Sequence, residues 1–224
     1  MCIEKEIVMS AKSVCDAISH SQGHEFLLAL EKAGLTRDIA QEVIASKGNR
    51  KAMAMMEAIA LVDDRFDLVT SFDVVVPKNY NHATRLSTFR KAHGKEFYFY
   101  NDAITDVNYA KVTTKLIPER KLKVKIFQIT TRVSSEDCLG FLRGQKAILL
   151  GAQGASLAYE QGKNQLPKGR WHVSFDEKNA LWVDSGGYHG VPHVLAGSDG
   201  DFEFDLGSFE ADWASDDCLL CFCD

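Results

Sequence analysis

The sequence predicts an α+β protein, with a small N-terminal helical module over residues 1–64 and a mixed-sheet α+β domain over residues 65–224. Three observations predict it. Apolar residues recur at helical spacing up to Val62. After Asp63–Asp64 the chain turns to β-branched and alternating patterns. Beyond Gly169, short strand-like segments follow one another between Gly- and Asp-rich turns.

The helical module reads as a small bundle of three or four short helices, "AKSVCDAISHS", "HEFLLALEKAGL", "LTRDIAQEVIASKG" and "NRKAMAMMEAIALV". Phe26, Leu27, Leu30 and Ala33 share one face, and Gly34 supplies a stop. Thr36 is placed to cap the next helix, with Ile39, Ala40, Val43 and Ile44 on its apolar stripe. A helix-turn-helix reader of DNA would bring more groove-reading Lys, Arg, Asn or Gln side chains than Arg37, Gln41 and Lys47 offer beside Asp38 and Glu42, so packing is the favoured role.

In the second domain, "FDLVTSFDVVVP" is a strand stopped by Pro77. "ATRLSTFRKAHG" is a short helix with Leu86 and Phe89 inward and Arg85, Arg90 and Lys91 outward. "EFYFYN" is a strand with Phe97 and Phe99 on one face and Tyr98 and Tyr100, the better candidates for a wet surface, on the other. "KLKVKIFQIT" alternates, so Leu122, Val124 and Ile126 face a core while Lys121, Lys123 and Lys125 face water. "SSEDCLGFLRGQKAILLGAQGASLAYEQG" reads helix–strand–helix, starting at a Ser134 or Ser135 cap. Short strands "GRWHVSFDE", "NALWVD", "PHVLAG", "DFEFDLG" and "CLLCFC" follow.

Composition narrows the function. Of 224 residues, 46% are hydrophobic and 25% charged, a folded rather than a disordered composition. No stretch approaches the roughly 18 apolar residues of a membrane span. The opening "MCIEKEIVMSAKS" lacks the apolar core of an export signal, so the expected location is cytoplasmic. The net charge of −5 is unevenly spread: +5 over residues 63–132 and −9 over residues 133–224. A basic middle and an acidic end call for a partner each, or for each other.

Two constellations compete. The basic, aromatic segment 78–125 suits an acidic partner or single-stranded nucleic acid, held by Arg85, Arg90, Lys91, Tyr98, Tyr100, Lys121, Lys123 and Lys125. The alternative is a metal-binding protein or metal-dependent enzyme that holds zinc through His189, His193, Cys218, Cys221 and Cys223. An extended strand opposes that set, because it turns Cys218 and Cys221 to opposite faces and leaves only Cys221 and Cys223 together. The expectation for "CLLCFC" is therefore a buried strand. The passage "LLGAQGASLA" lacks the middle glycine of a dinucleotide fingerprint, Gln153 standing there, and reads as a tight turn into a helix. Neither an enzymatic reaction nor an oligomeric state follows from these residues.

Taken together, "FYFYNDAITDVNY", "KVKIF", "GAQGASLAYEQ", "LPKGRWHVSFDEKNALWVD", "SDGDFEFDLGSFEADW" and "CLLCFCD" resemble a family of uncharacterised hypothetical proteins from candidate-phylum bacterial genomes. The resemblance spans about residues 66–224. It implies a bacterial, cytosolic protein with "CLLCFCD" as part of the domain, and it implies no activity, cofactor or site residue. The expected function is that of a non-catalytic binding or regulatory protein without a cofactor.

Overall fold

The computed structural model describes residues 20–32, 34–60 and 63–224. The first helix read from the sequence falls largely outside them, at residues 11–19. Two compact units divide between Ile59 and Ala60.

The N-terminal unit contains α1 (His20–Lys32), α2 (Arg37–Ile44) and α3 (Arg50–Ala60). Thr36 caps α2 as its spacing predicts, its hydroxyl accepting a hydrogen bond from the Ile39 amide at 3.3 Å. Gly34 adopts φ +97°, a conformation that costs glycine nothing, just beyond α1. The apolar stripes do not make the expected core. Phe26 is 56% exposed and Ile44 74%, and no side chain described in these three helices is buried. Short amphipathic helices present an apolar face whether or not a partner covers it, so periodicity foretold the helices and not their burial.

The C-terminal unit is built on one mixed eight-stranded sheet. Its strands are β1 (Phe66–Val75), β2 (Phe97–Tyr100), β3 (Lys121–Ile129), β4 (Arg170–Val173), β5 (Trp182–Val183), β6 (His189–Ala196), β7 (Phe202–Ser208) and β8 (Asp217–Cys223). The order is β1-β3-β8-β4-β6-β7-β2, with β5 pairing to β6. The β4–β8 and β2–β7 pairs are parallel and the others antiparallel.

Three helices cover the sheet: α4 (Arg85–His93), α5 (Ser135–Gly144) and α6 (Gly151–Gly162). Residues Leu86 and Phe89 of α4 and Ala155, Leu157 and Tyr159 of α6 pack on the first face. They meet Val124, Ile126, Val194, Phe204 and Phe222 there. On the second face, Leu139, Phe141 and Leu142 of α5 pack on Phe127, Ile129, Leu219 and Cys221. Ser134 starts α5 with a capping box. Its hydroxyl accepts from the Asp137 amide at 3.1 Å, and the Asp137 carboxylate accepts from the Ser134 amide.

The helix–strand–helix reading of residues 134–162 needs one correction. "AILLG" is not a strand; only Ile148 bridges to Phe222, its amide donating to the Phe222 carbonyl at 2.7 Å. A short apolar run that fills a gap between layers carries the same composition as a buried strand.

The tail reads as expected. β8 lies inside the sheet between β3 and β4, and its residues Cys218 to Phe222 are all buried.

Candidate functional site

On β3 the period of two decides what reaches solvent. Leu122, Val124 and Ile126 anchor in the first core, so Lys121, Lys123 and Lys125 must stand on the second face. Helix α5 covers that face only farther along the strand, where Phe127 and Ile129 replace the lysines. The uncovered lysines form a row, with Lys121 and Lys123 exposed and Lys125 half-buried. Across the ladder on β1 stand Val75, Asp73 and Ser71, and on β8 Cys223 and Cys221. None of the three lysines forms an ion pair within 4 Å among the described residues.

The other residues expected to join this surface lie elsewhere. Arg85 is not outward: its side chain is only 6% exposed, and it donates to Ser156 Oγ at 3.0 Å and to Glu160 Oε2 at 2.9 Å. Its first-turn position on α4 directs it beneath α6. Arg90 is exposed but pairs with Asp102 at 2.6 Å, with its guanidinium 4.7 Å from the centre of the Tyr100 ring. Lys91 is exposed on α4.

The tyrosine assignment is half corrected. A bulge between Phe97 and Phe99 breaks the alternation of β2, leaving Tyr98 82% exposed and turning Tyr100 against the first core. Burial pushes the Tyr100 phenol well above its ordinary pKa. β2 is five strand steps from β3, about 24 Å at ~4.8 Å per step, so the tyrosines and the lysine row are not one surface.

The structure does not gather the five residues of the zinc alternative. Cys218 points into the first core, opposite His172 on β4. Cys221 and Cys223 point to the second face, their sulfurs 3.7 Å apart. His189 Nδ1 lies 2.8 Å from Glu210 Oε1 at the start of β6. His193 stacks on Trp171, with ring centroids 4.2 Å apart. Among the described residues no three His, Cys, Asp or Glu side chains converge in a metal-ligating group. Burial pushes the Cys218 thiol up to about 11 and the Cys221 thiol higher still.

Two features were missed in the sequence. The first is a polar row on β4 and its continuation: His172, Ser174 and Asp176 alternate onto the first face and are all buried. The His172 Nδ1–H donates to the Val194 carbonyl at 3.1 Å, which leaves Nε2, like Ser174 Oγ, without a partner among the described residues. Asp176 accepts from the amides of Thr113 and Glu177, and burial raises its pKa. The H-x-S-x-D spacing was the available signal.

The second feature is on the far half of the second face. His193 is 9% exposed between Trp171 and Trp213, and neither ring nitrogen has a partner among the described residues. Burial draws its pKa down to about 4, against a smaller upward pull from Asp205 on the neighbouring strand. Beyond it opens a cleft of about 400 Å3 lined by Tyr98, Leu195, Glu203 and the Asp199–Asp201 turn. The second face thus carries cations on β3 toward one side of the sheet and acids and aromatics on β6 and β7 toward the other. No helix among the described residues is long and apolar enough to cross a membrane. The chain matches no protein-family model, and neither a curated protein nor a solved structure matches it significantly.

Proposed function

We propose that the protein is a cytosolic, non-catalytic binding protein that holds an acidic partner, single-stranded nucleic acid, along the lysine row of β3. One observation carries the reading: Lys121, Lys123 and Lys125 stand on an open sheet face without an ion-pair partner among the described residues. Lysines two residues apart on a strand are spaced about 6.7 Å. That is comparable to the step between successive phosphates of an extended strand. Desolvating such a row without a partner is unfavourable, whereas phosphates neutralise it and release counterions. Because Tyr98 and Tyr100 are remote, contact runs through the backbone and tolerates any base sequence.

The test is fluorescence anisotropy of a labelled 15-nucleotide single strand at low salt. Three phosphate contacts predict a slope of about −2 in log affinity against log salt. A Lys121→Glu, Lys123→Glu, Lys125→Glu variant with an unchanged circular dichroism spectrum is expected to lose binding. Absence of binding at low salt, or equal binding by the triple variant, overturns the reading. Equal affinity for a polyglutamate chain would replace nucleic acid with an acidic protein as the partner.

A further inference from the structure

Beside the lysine row, Cys221 and Cys223 form a dithiol whose neighbours restrict what it can do. Their sulfurs are 3.7 Å apart, Cys221 fully buried and Cys223 half-buried at the margin of the second core. Lys125 stands directly across the ladder from Cys221, and Lys123 from Cys223.

A disulfide is the first chemistry to weigh, and the strand opposes it. Residues two apart on an extended strand have Cα atoms about 6.4–6.8 Å apart, at the limit of the 4.4–6.8 Å that a disulfide spans. Closing it would pucker β8 at Phe222. That residue is 1% exposed, pairs with Val124 on one side, and accepts from Ile148 on the other. The bridge therefore costs both the ladder and the core, and the pair stays reduced.

A divalent ion is the second. Zinc asks for four ligands, and the described residues offer no third His, Cys, Asp or Glu to this pair. Zinc held by these two thiolates alone would also be a neutral complex, which offers Lys123 and Lys125 across the ladder no negative charge to pair with. What suits two thiolates, no further ligand and two adjacent cations is a soft monovalent ion. It forms a two-coordinate dithiolate of net charge −1, which the lysines neutralise.

We propose that Cys221 and Cys223 form a binding site for a soft monovalent metal ion, copper(I), with Lys123 and Lys125 as its counter-charges. Binding exchanges two thiol protons for the ion: both S–H bonds break, two S–Cu bonds form, two protons pass to solvent, and no electron is transferred. Half-buried Cys223 is the point of entry, and Cys221 closes the site from within. The assignment rests on β8 and β3 alone and does not depend on nucleic-acid binding.

The experiment is an anaerobic titration of the full, reduced chain with copper(I) against a chromogenic chelator, with native mass spectrometry of the product. The background carries Cys2→Ser and Cys15→Ser, since these cysteines lie outside the described residues. One ion per chain is expected. Cys223→Ser and Cys221→Ser should each weaken binding on the order of 100-fold, while Cys138→Ser and Cys218→Ser leave it unchanged. Lys123→Met should weaken it about 10-fold, as loss of an outer-shell partner does. Cys223 is only half-buried, so Cys223→Ser remains decisive if Cys221→Ser fails to fold. Absence of a 1:1 complex, or one that survives Cys223→Ser, overturns the proposal.

Discussion

Arg85 and Glu160 join α4 to α6 through a 2.9 Å ion pair buried on the arginine side, and Ser156 accepts a second hydrogen bond from the same guanidinium. The arginine also lies over the Phe89 ring at 5.4 Å. Arg85 is thus a structural cation, not part of a binding surface. Arg85→Ala should destabilise the fold by about 3 kcal/mol, the lower end of the range for breaking a buried pair, since Glu160 keeps some solvent. Urea denaturation reads this directly. A loss below about 1 kcal/mol would show that water already screens the pair.

Acid should weaken the protein in a defined window. Burial lowers the pKa values of His172 and His193 from 6.5 to about 4, so both are neutral in the folded state at neutral pH. Between pH 6.5 and 4 the unfolded chain binds more protons than the folded one, and stability falls as pH falls. Two such groups amount to about 3 kcal/mol each at full effect. Melting temperature followed from pH 7 to pH 4 should drop. Replacing His193 by Phe should flatten the curve, and an unchanged curve would mean that the ring titrates alike in the folded and unfolded chains.

A second acid transition should follow. Glu96 accepts from Lys163, His93 and Tyr159, which hold its pKa at about 2. The stability it contributes is present above its ordinary pKa of 4.5 and is lost as pH falls through 2. Glu96→Gln should remove the pH dependence in that interval, read by circular dichroism titration from pH 5 to pH 2.

Alanine, which ordinarily favours a helix by about 1 kcal/mol over glycine, should do the opposite in α6. A Cβ on Gly154 would lie 2.7 Å from Ser174 Oγ and 2.9 Å from the Phe222 ring, and one on Gly162 would enter the Phe72 ring. Gly154→Ala and Gly162→Ala should each cost about 1–3 kcal/mol by overpacking. Equal or higher melting temperatures would show that the helix lies farther from the sheet.

Removing residues 218–224 should abolish folding, because β8 is an inner strand hydrogen-bonded on both sides and its side chains fill both cores. By contrast, Cys218→Ala should cost only about 1 kcal/mol. Circular dichroism separates the two. A truncated chain with native melting would make β8 an appendage.

What the sequence determined by itself was local. The period of 3.6 set α1 to α3, the period of two in "KLKVKIF" set the inward leucine, valine and isoleucine and the outward lysines, and the Ser134–Ser135 pair marked the start of α5, which the structure caps at Ser134. The same alternation separated Cys218 from Cys221 and Cys223 in advance. Only the tertiary structure decided which faces are covered. It placed Arg85 under α6, and a bulge in β2 exchanged the environments of Phe99 and Tyr100. The strand order put Tyr98 at the opposite end of the sheet from Lys123 and set Cys223 beside that lysine. Periodicity fixes the direction of a side chain relative to its own backbone, whereas burial and neighbours depend on residues a hundred positions away.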